Sequence, residues 1–314
     1  MKLNKPKFWD KKKPNLISYL LFPFTIIIRI NNIIINKYKK FKTKKIKSIC
    51  VGNIYIGGTG KTPLTIKLFR LISNINKKTV VAKKFYPSHK DEILILKKKT
   101  KLITDKNRFD LIKKAIYRKF EIIIFDDGLQ DKTIDYSLKF VCFDSLNWIG
   151  NGKLLPAGPL RQEIKVLKNF DAVFFKSIRN INKQAVKLIK RINPKINIFN
   201  YNLEIINKNK FDLSKKYFVM SGIGNSESFS KFLKFNKFRI QKHIEFPDHH
   251  QYTEDEISDV THDAKIANSK ILTTEKDYVK IPKKYIRAFK CIKVSVILEN
   301  EKKLMNFLKL KINE

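Results

Sequence analysis

Cysteine is nearly absent, with three residues among 314, at positions 50, 142 and 291. So few thiols, so far apart, exclude a disulfide framework and offer no CxxC pair for a structural metal. They fit a reducing compartment. Acidic residues are also scarce: 28 Asp and Glu stand against 67 Lys and Arg, a formal net charge of +39. Arginine is scarce among the cations, 9 against 58 lysines. Proteins selected to read nucleic acid lean on arginine for bidentate phosphate and guanine contacts, so the charge by itself does not describe a nucleic-acid surface. Alanine (8) and glycine (10) are as thin, whereas isoleucine (45) and asparagine (26) are abundant. Lysine, isoleucine and asparagine have A/T-rich codons, so a drifted AT-rich genome accounts for most of the excess charge. Long hydrophobic runs are missing too. Leu16 to Ile28 is broken by Ser18, Pro23 and Thr25. As a helix it reaches about 20 Å, short of a hydrocarbon core of about 30 Å. No cleavage site of small residues follows it, so no secretory signal is expected.

What is present is 43% hydrophobic residues, enough for a sizeable core and against wholesale disorder. The length allows about two domains. The charge is also clustered. Residues 1–47 carry 13 Lys and one Arg against one Asp, a net +13, which is a third of the excess in under a sixth of the chain. Codon drift does not explain that clustering. Lys11–Lys13 and the lysines from Lys37 to Lys47 bracket the apolar run, with Trp9, Tyr19 and Phe22 nearby. Cations around apolar anchors suit the interface of an anionic membrane, and residues 1–44 read as a membrane-associating segment. A helix packed on the protein's own core is the other reading.

Lys45–Val51 reads as a short strand. It runs into Gly52-Asn53-Ile54-Tyr55-Ile56-Gly57-Gly58-Thr59-Gly60-Lys61-Thr62-Pro63, and Leu64, Lys67, Leu68 and Leu71 continue at helical spacing. Strand, glycine loop, Lys-Thr and helix together make the phosphate-binding loop of an ATP-binding protein. Glycines let backbone N–H groups close around phosphate oxygens at a helix N-terminus. Gly57, Gly58, Thr59 and Gly60 would form the cradle, Lys61 would reach the β- and γ-phosphates, and Thr62 would ligate Mg²⁺. The strict GxxxxGK[ST] pattern wants glycine at position 55, where Tyr55 stands. A second apolar strand, Glu121–Phe125, ends in Asp126-Asp127-Gly128-Leu129-Gln130. A carboxylate at the end of a strand beside the loop strand holds Mg²⁺ directly or through water, which makes Asp126 and Asp127 metal candidates.

Three further words follow: Gly150-Asn151-Gly152-Lys153-Leu154-Leu155-Pro156-Ala157-Gly158-Pro159-Leu160-Arg161, Phe246-Pro247-Asp248-His249-His250, and Thr273-Thr274-Glu275-Lys276-Asp277. With the glycine loop and DDGLQ, in this order, they resemble the tetraacyldisaccharide 4′-kinase family, the lipid A kinases of Gram-negative bacteria. The matching blocks run from residue 51 to 277. In that family the position of Tyr55 need not be glycine.

The resemblance implies transfer of the ATP γ-phosphate to the 4′-hydroxyl of a tetraacylated glucosamine disaccharide 1-phosphate. The work is done at the cytoplasmic face of the inner membrane by a peripheral or monotopic protein. It implies the lipid A precursor and anionic lipids as partners, with no nucleic acid and no obligate protein partner. A family G-D-E-P motif resembles Lys90-Asp91-Glu92-Ile93, which makes Asp91 the candidate base; the R-G-Y-G before it has become Lys84-Phe85-Tyr86-Pro87. His249 matches the imidazole that pairs with that Asp, and His250 is a weaker candidate. Arg161 is read as a clamp on phosphate charge. Thr274 and Glu275 match a word associated with the nucleotide. Asp131 stands where the family has His, which would weaken the site if that His binds substrate or metal. The other histidines (89, 243 and 262) match no motif.

Helices are expected at 108–120, 182–192 and 253–268, and strands at 80–83, 139–143, 172–175, 217–220 and 270–272. Ser221-Gly222-Ile223-Gly224-Asn225 is either an anion-presenting turn or a plain tight one. The alternation predicts an α/β fold, with a P-loop-type parallel sheet flanked by helices over 45–210 and a smaller α/β domain over 211–314. Asp91 then falls with the P-loop and His249 beyond the junction, so closure on ATP would complete the site. Two other classes stay open: a nucleic-acid-stimulated ATPase, and a degenerate non-catalytic P-loop protein that associates with membranes.

Overall fold

The computed structural model describes residues 5–37, 40–75, 77–131, 133–177 and 183–314; the side chains of 36 and 37 are not described. The expected helix start at 182 and the lysine at 39 lie outside the described residues. The strands are β1 (Lys47–Gly52), β2 (Thr79–Lys84), β3 (Leu102–Asp105), β4 (Ile122–Asp126), β5 (Leu138–Asp144), β6 (Ala172–Lys176), β7 (Asn197–Ile205), β8 (Lys216–Ser221), β9 (Arg239–Glu245), β10 (Lys270–Thr274), β11 (Phe289–Ile292) and β12 (Val294–Leu298).

The chain divides into two compact units, a larger one of residues 5–85, 99–202 and 296–314 and a smaller one of 86–98 and 203–295. The larger is built on an eight-stranded sheet in the order β12-β7-β6-β5-β1-β4-β2-β3. β1 lies between β4 and β5 and is parallel to both. The middles of β1 and β4 are apolar because helices cover both faces of a parallel sheet, and from Ser48 and Ile122 on every residue is buried. Val51 is in register with Asp126, so the carboxylate ending β4 stands beside the strand end from which the glycine loop departs. Helix Lys61–Ser73 follows the loop and buries Leu64, Leu68, Leu71 and Ile72 at helical spacing. The smaller unit carries a four-stranded parallel sheet, β11-β10-β8-β9.

The units do not follow the expected boundaries. Residues 86–98, with Asp91, leave the P-loop unit and belong with residues 203–295. Lys90-Asp91-Glu92-Ile93 opens a helix from Lys90 to Lys99, with Asp91 and Glu92 in its first turn. The last helix, Glu301–Asn313, returns to the larger unit: Glu301 pairs with Lys67 at 2.6 Å, and Phe307 packs on Phe140 and Phe199. Local composition marks linkers but not excursions, because an excursion is fixed by packing partners far away in sequence.

The amino-terminal run is two helices, Leu16–Leu20 and Thr25–Lys37, separated by a 3-10 turn at Phe22–Phe24 that holds Pro23. Their polar residues grip the larger unit. Asn151 donates to Ser18 Oγ (2.9 Å), Asn32 to the Arg161 carbonyl (3.2 Å), and Arg29 meets Glu163 at 2.9 Å. Their apolar residues point outward instead: Leu16, Leu20, Phe24, Ile27, Ile30 and Ile33 are each more than half exposed. No described helix is long and apolar enough to cross a membrane.

Glycine scarcity leaves a mark at helix ends. Lys119, Lys237 and Asn268 have φ of 56°, 69° and 46°. Each closes a helix by a Schellman pattern, as in Lys119 N–H to the Ile116 carbonyl and Phe120 N–H to the Ala115 carbonyl. The left-handed region costs a residue with a Cβ about 1–2 kcal/mol. Lys119→Gly and Lys237→Gly are therefore each expected to stabilise the protein by about 1 kcal/mol. Denaturant titration checks this, and an unchanged or lower midpoint contradicts it.

Candidate active site

The glycine loop uses backbone conformations that side chains resist. Gly57 has φ 118° and Gly60 φ 81°, and a Cβ on Gly60 would stand 2.3 Å from the Tyr201 hydroxyl. Tyr201 Oη donates to the carbonyls of Thr59 (3.2 Å) and Gly60 (3.3 Å). Thr59 is buried, Gly58 is exposed, and Lys61 and Thr62 open the helix whose N-cap is Gly60. Asn53 explains the VGN word: its amide donates to the carbonyls of Tyr55 (2.6 Å) and Gly57 (3.1 Å). Gln130 Nε2 donates to the Asn53 carbonyl at 2.6 Å. Tyr55 is not a defect. Its ring packs with Leu154 and Leu160, and its hydroxyl meets Asp10 and Lys5. The PAGPLR word braces the loop through its backbone: Ile56 N–H donates to Pro159 O (2.9 Å) and Arg161 N–H to Ile54 O (2.8 Å). The Arg161 side chain is half-buried.

The Asp126 carboxylate is buried and fully engaged. It accepts from Thr62 Oγ1 (3.0 Å), Thr65 Oγ1 (3.1 Å) and Lys83 Nζ (2.8 Å). Asp127 lies 3.6 Å from Lys61 Nζ. Its backbone is left-handed, φ 65°, with N–H bonded to Val51 O and C=O accepting from Arg108 Nη2 (2.5 Å). Arg108 is in turn paired with Asp131 at 2.6 Å. The residue that replaces the family's His thus steadies the arginine that holds Asp127. Burial works against ionised Asp131, but hydrogen bonds from Thr133 and Arg108 outweigh it and keep its carboxyl below the usual range. Thr62 and Asp127 bring hard oxygen donors to the loop, suited to Mg²⁺, whereas Asp126, expected as a third ligand, has its oxygens filled by Thr62, Thr65 and Lys83.

The smaller unit holds the other charged cluster. Asp91 is 1% exposed. Its Oδ1 accepts from Glu92 N–H (2.8 Å) and lies 3.3 Å from His249 Nδ1. Its Oδ2 is buried without a hydrogen-bond partner among the described residues; the nearest cation, Lys280 Nζ, is 3.8 Å away. Burial raises the Asp91 carboxyl, but the hydrogen bond from His249 and the charge of Lys276 outweigh it and hold it below the ordinary carboxylate range. His249 has φ 59°. Among the described residues, three of the six non-glycine residues with positive φ are helix ends, whereas Asp127 and His249 are loop positions beside charged clusters. Strain of this kind collects at functional sites.

The remaining sequence candidates fall out plainly. Thr274 and Glu275 lie in the smaller unit, where Thr274 caps helix Glu275–Tyr278 by accepting from Asp277 N–H (3.2 Å). His250 Nε2 meets Glu256 at 2.8 Å, inside the capping box of helix Glu254–Ile266. The Gly222 turn is structural: a Cβ there would meet the Tyr252 hydroxyl at 2.8 Å, and Asn225 caps the next helix. Burial pushes the Cys50 and Cys142 thiols far up, so neither is a nucleophile. Sequence reasoning missed Lys83, Lys276 and His89. Lys83 and Lys84 follow the apolar run Val80–Ala82 together, so nothing in the sequence singles out Lys83. His89, which matched no motif, stacks on His249 with ring centroids 4.1 Å apart.

Comparisons with known proteins bear on the family and the fold. The family model for tetraacyldisaccharide-1-P 4′-kinase (LpxK) matches residues 17–313. A tetraacyldisaccharide 4′-kinase of Pelagibacter ubique is 46% identical over 314 residues, covering all of this chain and 99% of that protein. One from Rickettsia akari is 34% identical over 297 residues, 89% of each chain. The crystal structure of LpxK from Aquifex aeolicus in complex with ATP superposes with a TM-score of 0.67 at 22% identity. It covers 95% of this chain and all of that one, and shows the same fold. On the match to its sequence model and on these relatives, the chain belongs to the tetraacyldisaccharide-1-P 4′-kinase family.

Proposed function

We propose that this lipid A kinase transfers the γ-phosphate of ATP to the 4′-hydroxyl of the disaccharide by in-line attack, with Asp91 as the proton acceptor. The observation that carries the reading is the asymmetry of the Asp91 carboxylate. Oδ1 is fixed by two neighbours, while Oδ2 is buried with a lone pair to spare. A buried polar atom without a partner demands a reason, and waiting for a hydroxyl proton is one. In the proposed step Oδ2 takes the proton as the sugar oxygen forms its bond to phosphorus. The bond between phosphorus and the β–γ bridging oxygen breaks, and ADP leaves with the electron pair. The glycine loop from Gly57 to Gly60 and Lys61 bind the phosphate chain, and Arg161 offsets charge on the moving group. Thr62 and Asp127 would hold Mg²⁺, positioned by Asp126, and the ion when bound neutralises phosphate charge. Asp126 itself is saturated by Thr62, Thr65 and Lys83, so its role is to aim Thr62.

The outward apolar residues of the two amino-terminal helices support peripheral attachment to an anionic bilayer from the cytoplasmic side, where the substrate's acyl chains are embedded. The flanking cations add the electrostatic part of the grip. Burial of this face in lipid also explains why a soluble unit displays so much isoleucine and leucine.

Transfer of labelled γ-phosphate to tetraacyldisaccharide 1-phosphate in micelles tests the chemistry. Asp91→Asn is expected to lower kcat about 10²–10⁴-fold with little change in KM for ATP. Near-normal turnover would move the base elsewhere. Because the Asp91 carboxyl is held below its usual range, its basic form persists as pH falls, and no acid limb from this group is expected above about pH 5. A limb near neutrality would contradict that. Flotation with vesicles tests the attachment. Binding is expected to phosphatidylglycerol vesicles at low salt, with release when salt is raised to about 0.5 M or when phosphatidylcholine replaces the anionic lipid. Indifference to both would leave the clustered charge without a role.

A further inference from the structure

The amino-terminal segment meets the glycine loop before it enters its apolar helices. Lys7–Asp10 form a 3-10 turn. The Asp10 carboxylate accepts from the Tyr55 hydroxyl and from Lys5 Nζ, which lies 2.8 Å from Oδ1 and 2.6 Å from Oδ2. Lys5 also donates to Tyr55 Oη at 3.0 Å, so the three groups close a ring of hydrogen bonds. A tyrosine hydroxyl can accept one bond while donating another, as this arrangement requires. Burial and the Asp10 carboxylate push the Tyr55 hydroxyl far up, so it keeps the proton it donates. The turn is itself pinned. Trp9 Nε1 donates to Pro156 O (3.0 Å), and Trp9 O accepts from Asn151 N–H (2.9 Å). Gly150, φ 57°, lies so close that a Cβ there would stand 2.1 Å from Trp9 O. A segment that served only to tether the protein to lipid would not need such a fit.

We propose that residues 5–10 strap the near end of the glycine loop, with Asp10 and Tyr55 as positioning residues for ATP. Gly57–Gly60 has one side chain, that of Thr59, with which to hold its shape, and glycine loses more freedom on ordering than any other residue. Affinity for the phosphate chain therefore depends on what fixes the two ends of the loop beforehand. Tyr201 fixes the far end, through the carbonyls of Thr59 and Gly60. Tyr55, 4% exposed, stands two residues before Gly57 at the near end. The Asn53 amide bonds to the carbonyls of Tyr55 (2.6 Å) and Gly57 (3.1 Å), so a shift of the Tyr55 backbone is passed to Gly57. Leu154 and Leu160 pack on the Tyr55 ring, and Asp10 holds its tip. The segment thus has two tasks on different residues. The apolar side chains from Leu16 onward face outward, while Lys5, Trp9 and Asp10 are turned to the loop and its brace.

Two conservative variants test the strap. Tyr55→Phe keeps the ring against Leu154 and Leu160 and removes only the hydroxyl. Asp10→Asn keeps the shape and removes the charge. Titration calorimetry of the full chain in detergent with MgATP reads binding without turnover, and each variant is expected to raise Kd about tenfold. With lipid substrate, KM for ATP is expected to rise in parallel while kcat stays within about twofold, because a preformed binding loop favours bound ATP and the transition state alike. Both changes break the same link, so the double variant is expected to bind no more weakly than the weaker single one. Flotation with phosphatidylglycerol vesicles is expected to match wild type, since the outward apolar residues are untouched. An unchanged Kd in both single variants overturns the proposal. Additive losses in the double variant do so too, because they would give the two residues separate roles. Loss of flotation together with ATP affinity also overturns it, because the whole segment would then have come away. None of these outcomes depends on Asp91 being the base.

Discussion

A buried carboxylate at the end of β4 organises the nucleotide half of this enzyme. Asp126 is removed from water, and its oxygens are filled by two threonines of the P-loop helix and by Lys83 at the end of β2. An ionised carboxylate left alone there would cost several kcal/mol, so the three donors are obligatory. In satisfying it they tie the first turn of helix Lys61–Ser73 to the centre of the sheet. Thr62 is thereby aimed, Lys61 is set beside Asp127, and the glycine loop is held between two fixed ends. The outer braces repeat the same logic with backbone groups: Asn53, Gln130 and the Pro159–Arg161 segment each bond to main-chain atoms of the loop.

The smaller unit uses the same ingredients to the opposite end. Asp91 is also buried and also has lysines near it, yet among the described residues one oxygen is left without a donor. The closest ammonium, Lys280, is turned to Asp277 at 2.8 Å instead. In the proposed mechanism the saturated carboxylate serves as a fixture and the unsaturated one as the proton acceptor. That contrast separates the role of Asp126 from that of Asp91 more clearly than any difference in residue type or exposure does.

The scarcity of glycine is met locally. Lysine and asparagine stand at helix ends that favour glycine, and Schellman hydrogen bonds offset the strain. Asp131, where the resemblance led one to expect histidine, has Arg108 as its partner. Glycine survives where a Cβ would collide, as at Gly60 against Tyr201.

The strands, the P-loop and the pairing of Asp126 with the loop strand were legible in the sequence, because unbroken apolar runs ending in glycine or aspartate admit few structures. Family membership was legible too, since five spaced words carried it. The membership of Asp91 in the smaller unit was not. A thirteen-residue excursion looks like any Lys-rich connection until its packing partners are known. Nor could the sequence reveal Lys83, Lys276 and His89, whose importance comes from neighbours 43, 27 and 160 positions away. Periodicity and turn chemistry act over a few residues and are written locally. Which oxygen of a carboxylate is filled is decided by side chains that only the folded chain brings within about 3 Å.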